Sequence, residues 1–307
     1  MTTMAAAGRP LTRQPRRRER AIEAFLFLAA SLGVVTTLGI IVVLALEAFE
    51  FFRQVSPLEF FTGTVWSASI EPFRWGVIPL IAGTTMVALI ALVVAVPFGL
   101  LAAVYLAEYA SLRTRNLVKP ILETIAGIPT IVLGFFALNF VTPALLKPIF
   151  GDGIGTFNAL AGGLVVGLLI TPLIASLAED ALRAVPRGLR EGAFAMGATK
   201  WEVIRKVVLP AALSGVMASI ILAMSRAMGE TMAVVLAVGT NPQLTLNPLE
   251  SIQTMTAFIV QISLGDTPQD SIQFKSLFAV AATLFAMTLL LNLLSNRIVA
   301  RFRNAYR

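Results

Sequence analysis

The sequence predicts an all-α membrane protein with six transmembrane helices and both termini on the cytoplasmic side. Hydrophobic residues make up 57% of the 307 positions and charged residues only 13%, about half the share of a soluble domain. Long runs without any charge recur along the chain, and basic residues collect in alternate loops. These three observations establish the class before any motif is considered.

Six apolar runs are long enough to cross a membrane. A helix rises about 1.5 Å per residue and the hydrocarbon core is about 30 Å thick, so about 20 apolar residues span it. Charge-free runs predict spans at 24–46, 77–107, 124–146, 153–178, 207–225 and 276–296, the fifth continuing through one charged pair to about residue 239. The first run exceeds a signal-peptide core, so we expect a retained anchor helix. It follows a basic cytoplasmic tail, residues 1–22, and residues 23–307 form one transmembrane domain.

The distribution of basic residues predicts the orientation. Nineteen of the 24 basic residues lie in the two tails and in the second–third and fourth–fifth loops, and only Arg53, Arg74, Lys147 and Lys275 lie in the loops on the other side. Cytoplasmic loops carry the excess of Lys and Arg, so both termini are expected in the cytoplasm. The basic charge is then a topology signal with some affinity for anionic membrane lipid, and we expect no nucleic-acid partner.

Two loops on the outer side are long. Residues 50–76 contain Trp66 and Trp75, aromatic residues that suit the membrane interface. Residues 240–272 contain an apolar stretch too short to span, which we expect to form a helix lying on, or dipping into, the outer leaflet.

Several kinds of chemistry are excluded by composition. The chain has no cysteine and no histidine, so disulfides, Cys/His metal sites and imidazole catalysis are ruled out. It also lacks the GxxxxGK[ST] phosphate loop of ATPases. We therefore expect that this chain is not an enzyme, with no catalytic residue and no metal or cofactor bound by it.

The loop before the fifth span, residues 181–208, is patterned. Apolar residues recur at mixed three- and four-residue spacing, at Ala193, Met196, Ala198, Trp201, Ile204 and Val208. Gly197 sits where one short helix turns into the next, and Pro210 suits the first turn of the following span. An ordered amphipathic helix pair in this position predicts a docking element for another protein.

The same loop resembles the coupling motif of ABC importer permeases, which reads Glu-Ala-Ala, three residues, Gly, nine residues, Ile-x-Leu-Pro. The matching positions, at the full family spacing, are Glu191, Ala193, Gly197, Leu209 and Pro210, while Gly192 and Val207 replace Ala and Ile. The resemblance implies a transport subunit with a type I ABC importer permease fold, located as a multi-pass protein in the bacterial inner (plasma) membrane. It also implies that this loop, with Gly192 among its contacts, inserts into a separate cytoplasmic ATPase.

Two further stretches resemble the phosphate-specific transport (Pst) permeases, AGIPTIVLGFFAL at 126–138 and SRAMGETMAV at 225–234. The GETMAV segment is similar to the PstC type of the two paired permeases. The resemblance implies four partners: a homologous PstA-like permease, two PstB-like ATPase subunits that carry ATP and magnesium, and an extracytoplasmic PstS-like phosphate-binding protein docking on the outer loops. The alternatives are a permease for molybdate, sulfate or phosphonate, or a transporter or channel that works without ATP.

A charged pair, Arg226 and Glu230, interrupts the fifth apolar run. Residues four apart are neighbours on a helix, and ions in hydrocarbon are costly and usually face the bundle interior. Counting from Pro210 places Arg226 about 24 Å along the helix, at or beyond mid-membrane. Arg226, Glu230 and the adjacent Thr231 therefore form the candidate substrate path or gate. The pair either serves the anion path, with Glu230 holding Arg226 until phosphate competes for it, or only locks helix packing. Weaker candidates for the path are Thr84, Thr85 and Asn139.

Overall fold

The computed structural model describes residues 17–68, 70–151 and 153–303 and is almost entirely helical. Six helical segments have the length and apolar composition needed to cross a membrane: Glu19–Phe52, Ile78–Tyr109, Thr130–Phe150, Ala159–Arg183, Lys200–Met228 and Ile272–Ser295. The six predicted spans are confirmed. Most of the predicted basic tail, residues 1–16, lies outside the described residues, as does Arg307.

The chain divides after Leu46 into two compact units. The helix α1, Arg17–Phe52, crosses this boundary, and its part up to Leu46 belongs to the first unit. The second begins with the last residues of α1 and holds all remaining elements in the described part of the chain. In order, these are α2 Pro57–Thr62, β1 Trp66–Ser67, β2 Arg74–Trp75, α3 Ile78–Val104, α4 Leu112–Ala126, α5 Thr130–Phe136, α6 Lys147–Phe150, α7 Ala159–Arg183, α8 Arg187–Ala195, α9 Lys200–Val203, α10 Leu209–Met228, α11 Met232–Val238, α12 Met255–Leu264 and α13 Ile272–Arg303. Three π-helical segments lengthen these helices in the described part of the chain. Tyr105–Tyr109 extends α3, Ala137–Leu146 joins α5 to α6, and Ile204–Val208 joins α9 to α10.

The centre of the second unit is the packing of α3 against α7. Small residues allow these two helices to approach closely, as is common between membrane helices. A methyl group added at Gly163 of α7 would lie 2.5 Å from Cβ of Ile90, and one at Gly167 would lie 3.0 Å from the Ala91 carbonyl. The large cluster of buried apolar side chains between α3, α5, α7 and α11 is built on this contact.

A second apolar cluster joins the two predicted outer loops. The strands β1 and β2 pair antiparallel with Trp66 opposite Trp75, and the Trp66 ring packs edge-on against Phe258 of α12 with ring centroids 4.9 Å apart. Both tryptophans are buried inside this cluster, where they pack against other apolar side chains of the chain. The short apolar helix expected within 240–272 is present as α12, and its buried face packs into the same cluster.

Two predicted span boundaries need correction. The third span begins at Thr130, because the chain from residue 112 to 126 forms the separate amphipathic helix α4. The fifth does not continue to residue 239, because α10 ends at Met228 and a new helix, α11, starts at Met232. Hydropathy alone does not reveal this interruption, since the apolar character continues on both sides of it.

Candidate functional site

The loop between the fourth and fifth spans folds into the predicted pair of short helices. The first, α8, ends at Ala195, and Gly197 follows with a φ of +83°, a left-handed conformation that favours glycine. The second, α9, begins with a capping box in which Thr199 and Glu202 each accept a hydrogen bond from the other's backbone N–H. The turn at Gly197 is thus confirmed.

Most residues of this loop between 187 and 201 are exposed. Glu191, Gly192 and Gly197 are exposed, while Ala193 is half-buried and packs towards the neighbouring apolar cluster. Large apolar side chains are exposed beside them, namely Leu189, Phe194, Met196 and Trp201. Apolar side chains grouped with glycine and alanine on one loop offer a close, dehydrating contact to a partner protein.

Leu209 and Pro210, the end of the coupling motif, do not start a new helical run but lie within a continuous one. Pro210 is in the first turn of α10, but the helical run that carries it starts ten residues earlier, at Lys200. The missing proline N–H would break an α-helical ladder. The π-helical segment Ile204–Val208 directly before it changes the hydrogen-bond register, so the run continues past the proline.

A buried carboxylate two residues before this loop was not identified from the sequence. Glu179, in the last turns of α7, is fully buried and accepts hydrogen bonds from Arg115 Nε at 2.7 Å and from Lys119 Nζ at 2.8 Å. Arg183 lies 3.7 Å from the same carboxylate, and Lys119 also donates to Asp180 at 2.6 Å. Burial lowers the pKa of Lys119, but the hydrogen bonds to Asp180 and Glu179 outweigh it and leave the pKa above its ordinary value. This ion-pair cluster fastens α4 to the end of α7.

The charged pair Arg226 and Glu230 does not sit on one helix. Gly229, Glu230 and Thr231 separate α10 from α11, and no ion pair joins Arg226 to Glu230 among the residues that the structure describes. The idea that Glu230 holds Arg226 is therefore wrong in this conformation. The geometric reason is the interruption, which ends the helical register that would have made the two side chains neighbours.

Glu230 instead fixes the start of the next helix. Its side chain is almost completely buried, and Oε1 accepts hydrogen bonds from the backbone N–H groups of Thr231 and Ala233, at 3.1 and 3.4 Å. Its backbone carbonyl accepts a hydrogen bond from Thr256 Oγ1 at 2.9 Å, which ties the interruption to α12. The Thr231 hydroxyl donates to the Gly229 carbonyl. Glu230 and Thr231 thus hold the shape of the break.

Arg226 is exposed on the surface of the chain, one turn before the break. The residue before it, Ser225, donates a hydrogen bond to Asn292 of α13 at 2.8 Å. Asn292 is also exposed, and the sequence reasoning missed it because an isolated asparagine in an apolar helix carries no motif. The hydrogen bond between Ser225 and Asn292 thus joins α10 to α13 at the residue next to Arg226 in the sequence.

The three weaker candidates for the path differ in their burial and in their hydrogen bonds. Thr84 is buried and serves structure: it donates to the Leu80 carbonyl and accepts from the Met255 N–H at 2.9 Å. Asn139 is exposed and donates to its own helix at the Phe135 carbonyl. Thr85 is half-buried, and the described residues give its hydroxyl no hydrogen bond. In the described part of the chain, no hydrogen bond joins any of the three to Arg226.

These features define a class of protein: a multi-pass membrane permease with an exposed docking loop for a separate protein. Within that class, the chain belongs to the family of inner membrane components of binding-protein-dependent transport systems, whose family model matches residues 95–307. The resemblance to ABC importer permeases is confirmed, as is the inference that this is a transport subunit of the inner membrane and not an enzyme. An importer of this kind works with an ATPase and with a substrate-binding protein.

Curated relatives cover nearly the whole chain. It is 33% identical to the probable ABC transporter permease protein YqgH of Bacillus subtilis, over 91% of this chain and 88% of that protein. It is 30% identical to the phosphate transport system permease protein PstC of Haemophilus influenzae, over 90% and 91% of the two chains. It is also 32% identical to PstC 1 of Mycobacterium tuberculosis, over 81% and 83%.

Solved structures show the same fold at lower identity. The chain matches a permease of a bacterial ABC transporter that imports the acidic polysaccharide alginate, with a TM-score of 0.65, 15% identity and coverage of 93% of this chain and 96% of the other. It also matches the MetNI methionine ABC transporter in an inward-facing conformation, with a TM-score of 0.56, 23% identity and coverage of 76% and 99%. These likenesses confirm the predicted all-α fold of an ABC importer permease.

Proposed function

We propose that this chain is one half of the translocation path of an ATP-driven phosphate importer, and that Arg226 lines that path. One observation carries the second part: an arginine stands exposed on a span, with no acidic partner among the described residues, beside an interruption of the helix. The relatives named as phosphate transport permeases support the cargo.

Arg226 suits an oxyanion better than it suits lipid. Phosphate carries one to two negative charges at neutral pH, and a guanidinium presents a planar fork of donors that matches its oxygens. A charged side chain in the membrane is costly unless it faces water or a partner. Because Glu230 is occupied in capping α11, it leaves the guanidinium free for a transported anion.

The rest of the assembly follows from the same proposal. Both termini lie on the cytoplasmic side, and so does the loop before the fifth span, residues 181–210, which we call the coupling loop. This loop contacts one of two PstB-like ATPase subunits. A PstA-like permease supplies the other half of the path, and a PstS-like phosphate-binding protein docks on the outer loops. ATP and magnesium are bound by the ATPase subunits, and this chain binds no cofactor.

Phosphate uptake by the reconstituted transporter tests the cargo. Vesicles containing the chain with its partner permease, ATPase and binding protein should accumulate labelled phosphate only when ATP is present on the ATPase side. Excess unlabelled phosphate should abolish the signal, while molybdate, sulfate and phosphonate should leave most of it. Stronger competition by one of those anions would assign the importer to that cargo, and uptake without ATP would contradict the ABC mechanism.

Thiol labelling tests whether Arg226 faces an aqueous path. The chain has no cysteine, so a single introduced cysteine is the only thiol on it. Arg226→Cys should react with a membrane-impermeant, water-soluble thiol reagent, because thiolate forms only where water reaches. The matched control is Ala227→Cys, since Ala227 is the next residue and is buried. Equal resistance of the two variants to the reagent would place Arg226 against lipid or protein and overturn its role.

A further inference from the structure

Arg190 of α8 makes four hydrogen bonds from a single guanidinium. Its Nε and Nη2 donate to Oε1 of Glu108, at 3.2 and 3.0 Å. Nη2 also donates to the Leu182 carbonyl at 2.7 Å, and Nη1 donates to the Val185 carbonyl. The side chains of Arg190 and Glu108 are only 17% and 11% exposed, so this ion pair is largely shielded from solvent.

These bonds join the coupling loop to the ends of two spans. Glu108 lies in the π-helical segment that ends the second span, and Leu182 lies in the last turn of α7, the fourth span. Carbonyls at the end of a helix lack intrahelical donors, and a positive charge is favourable there. Arg190 therefore both completes the end of α7 and connects it to the end of the second span.

The helix that carries Arg190 has few other attachments. No residue of α8 is buried, and Ala193 is its one apolar side chain packed against the neighbouring cluster. Among the described residues, Arg190 is the only member of α8 whose side chain hydrogen-bonds outside that helix. A displacement of α8 has to reach the spans through the chain itself, through Ala193 or through Arg190.

We propose that Arg190 is a positioning residue that transmits movement of α8 to the cytoplasmic ends of the second and fourth spans. It contacts neither the transported anion nor ATP, and acts through Glu108 and the end of α7. Two N–H groups that converge on one carboxylate oxygen, with the bonds to two carbonyls, fix direction as well as distance, which a flexible lysine would not do. This inference rests on the proposed importer function.

The test is the number of phosphate ions imported per ATP hydrolysed by the complete reconstituted transporter. Arg190→Gln and Glu108→Gln should each assemble with the ATPase and hydrolyse ATP, while the ratio falls about tenfold, the change expected for one charged hydrogen bond. The matched control is Arg113→Gln, which removes the same charge from an exposed position in α4, outside the loop that contacts the ATPase, and should keep the wild-type ratio.

Each other outcome counts against the proposal. An unchanged ratio in Arg190→Gln overturns it, and so does an equal loss in Arg113→Gln, because the loss of any positive charge would then explain the effect. Failure of both Arg190→Gln and Glu108→Gln to assemble would leave the pair a purely structural role. A wild type that imports no phosphate refutes the proposed cargo separately. The ratio is then measured with the oxyanion that it does accumulate, so the two failures remain distinguishable.

Discussion

Replacing Glu179 by glutamine should loosen the attachment of α4 to α7. The glutamine side chain keeps the size of the glutamate but exchanges one acceptor oxygen for an NH₂ donor. That donor would face Lys119 or Arg115, both of which now donate to the carboxylate. Two charge-assisted hydrogen bonds are weakened at once, and Arg115, Lys119 and Arg183 lose their shared counter-ion.

The magnitude follows from burial. Removing one partner of a buried ion pair costs about 3–5 kcal/mol. The carboxylate of Glu179 is fully buried, but the side chains of Arg115 and Lys119 are 21% and 19% exposed and can regain some hydration. We therefore expect about 3 kcal/mol, the lower end of that range. At about 2–4 °C per kcal/mol for a unit of this size, the thermal midpoint should fall by about 6–12 °C.

The assay heats the detergent-solubilised protein in steps and measures the fraction that remains monodisperse by size-exclusion chromatography. The control variant is Asp180→Asn, because Asp180 shares Lys119 but its side chain is 56% exposed. An exposed pair is worth less than about 1 kcal/mol, so this variant should shift the midpoint by at most about 4 °C. Equal shifts for Glu179→Gln and Asp180→Asn, or no shift in either, would refute the reasoning.

Three further predictions concern stability. Since the pKa of Lys119 is raised, its stabilising charge is fully present below the unfolded pKa of about 10.4 and is lost as pH rises through the folded value. The midpoint difference between wild type and Lys119→Met should thus be constant from about pH 7 to 9.5 and shrink above about pH 10.5. Thr84→Val leaves the buried Met255 N–H without its acceptor and should cost about 1–3 kcal/mol in the same thermal assay. Gly163→Ala forces a methyl group against Ile90 and should cost about 1–3 kcal/mol.

Matched variants decide each of these predictions. Thr85→Val removes a neighbouring hydroxyl that makes no side-chain hydrogen bond in the described part of the chain, and should leave the midpoint unchanged. Gly39→Ala adds a methyl group that meets no atom within 4 Å and should be neutral or stabilising, because alanine favours helix. Midpoints that fall as much in the controls as in Thr84→Val and Gly163→Ala would contradict the packing described. A Lys119→Met difference that already changes between about pH 7 and 9 would contradict the raised pKa.

Local features were predictable from the sequence. The coupling loop could be read because its signals lie within 20 residues: an apolar period, a glycine at the turn and a proline at the next helix. The six spans could be read because hydropathy over about 20 residues is a strong signal. Both features depend on neighbours in the chain.

Features that depend on distant residues were not predictable. Glu179 meets Arg115 and Lys119 across 64 and 60 positions of the sequence, and no local pattern marks that pairing. The break at Gly229 lies within a run whose hydropathy stays high, so Arg226 and Glu230 looked like helical neighbours. Trp66 and Trp75 belong to a residue type that is common at membrane interfaces, and no local pattern predicts that the pairing of β1 with β2 buries them together.

The central claim is that Arg226 lines an ATP-driven path for phosphate. The most direct measurement is labelled-phosphate uptake into vesicles containing the complete transporter, comparing wild type with Arg226→Gln in the presence and absence of ATP. We predict ATP-dependent uptake by the wild type, and none by Arg226→Gln, although that variant assembles with its ATPase to the same extent. Normal uptake by Arg226→Gln would contradict the account.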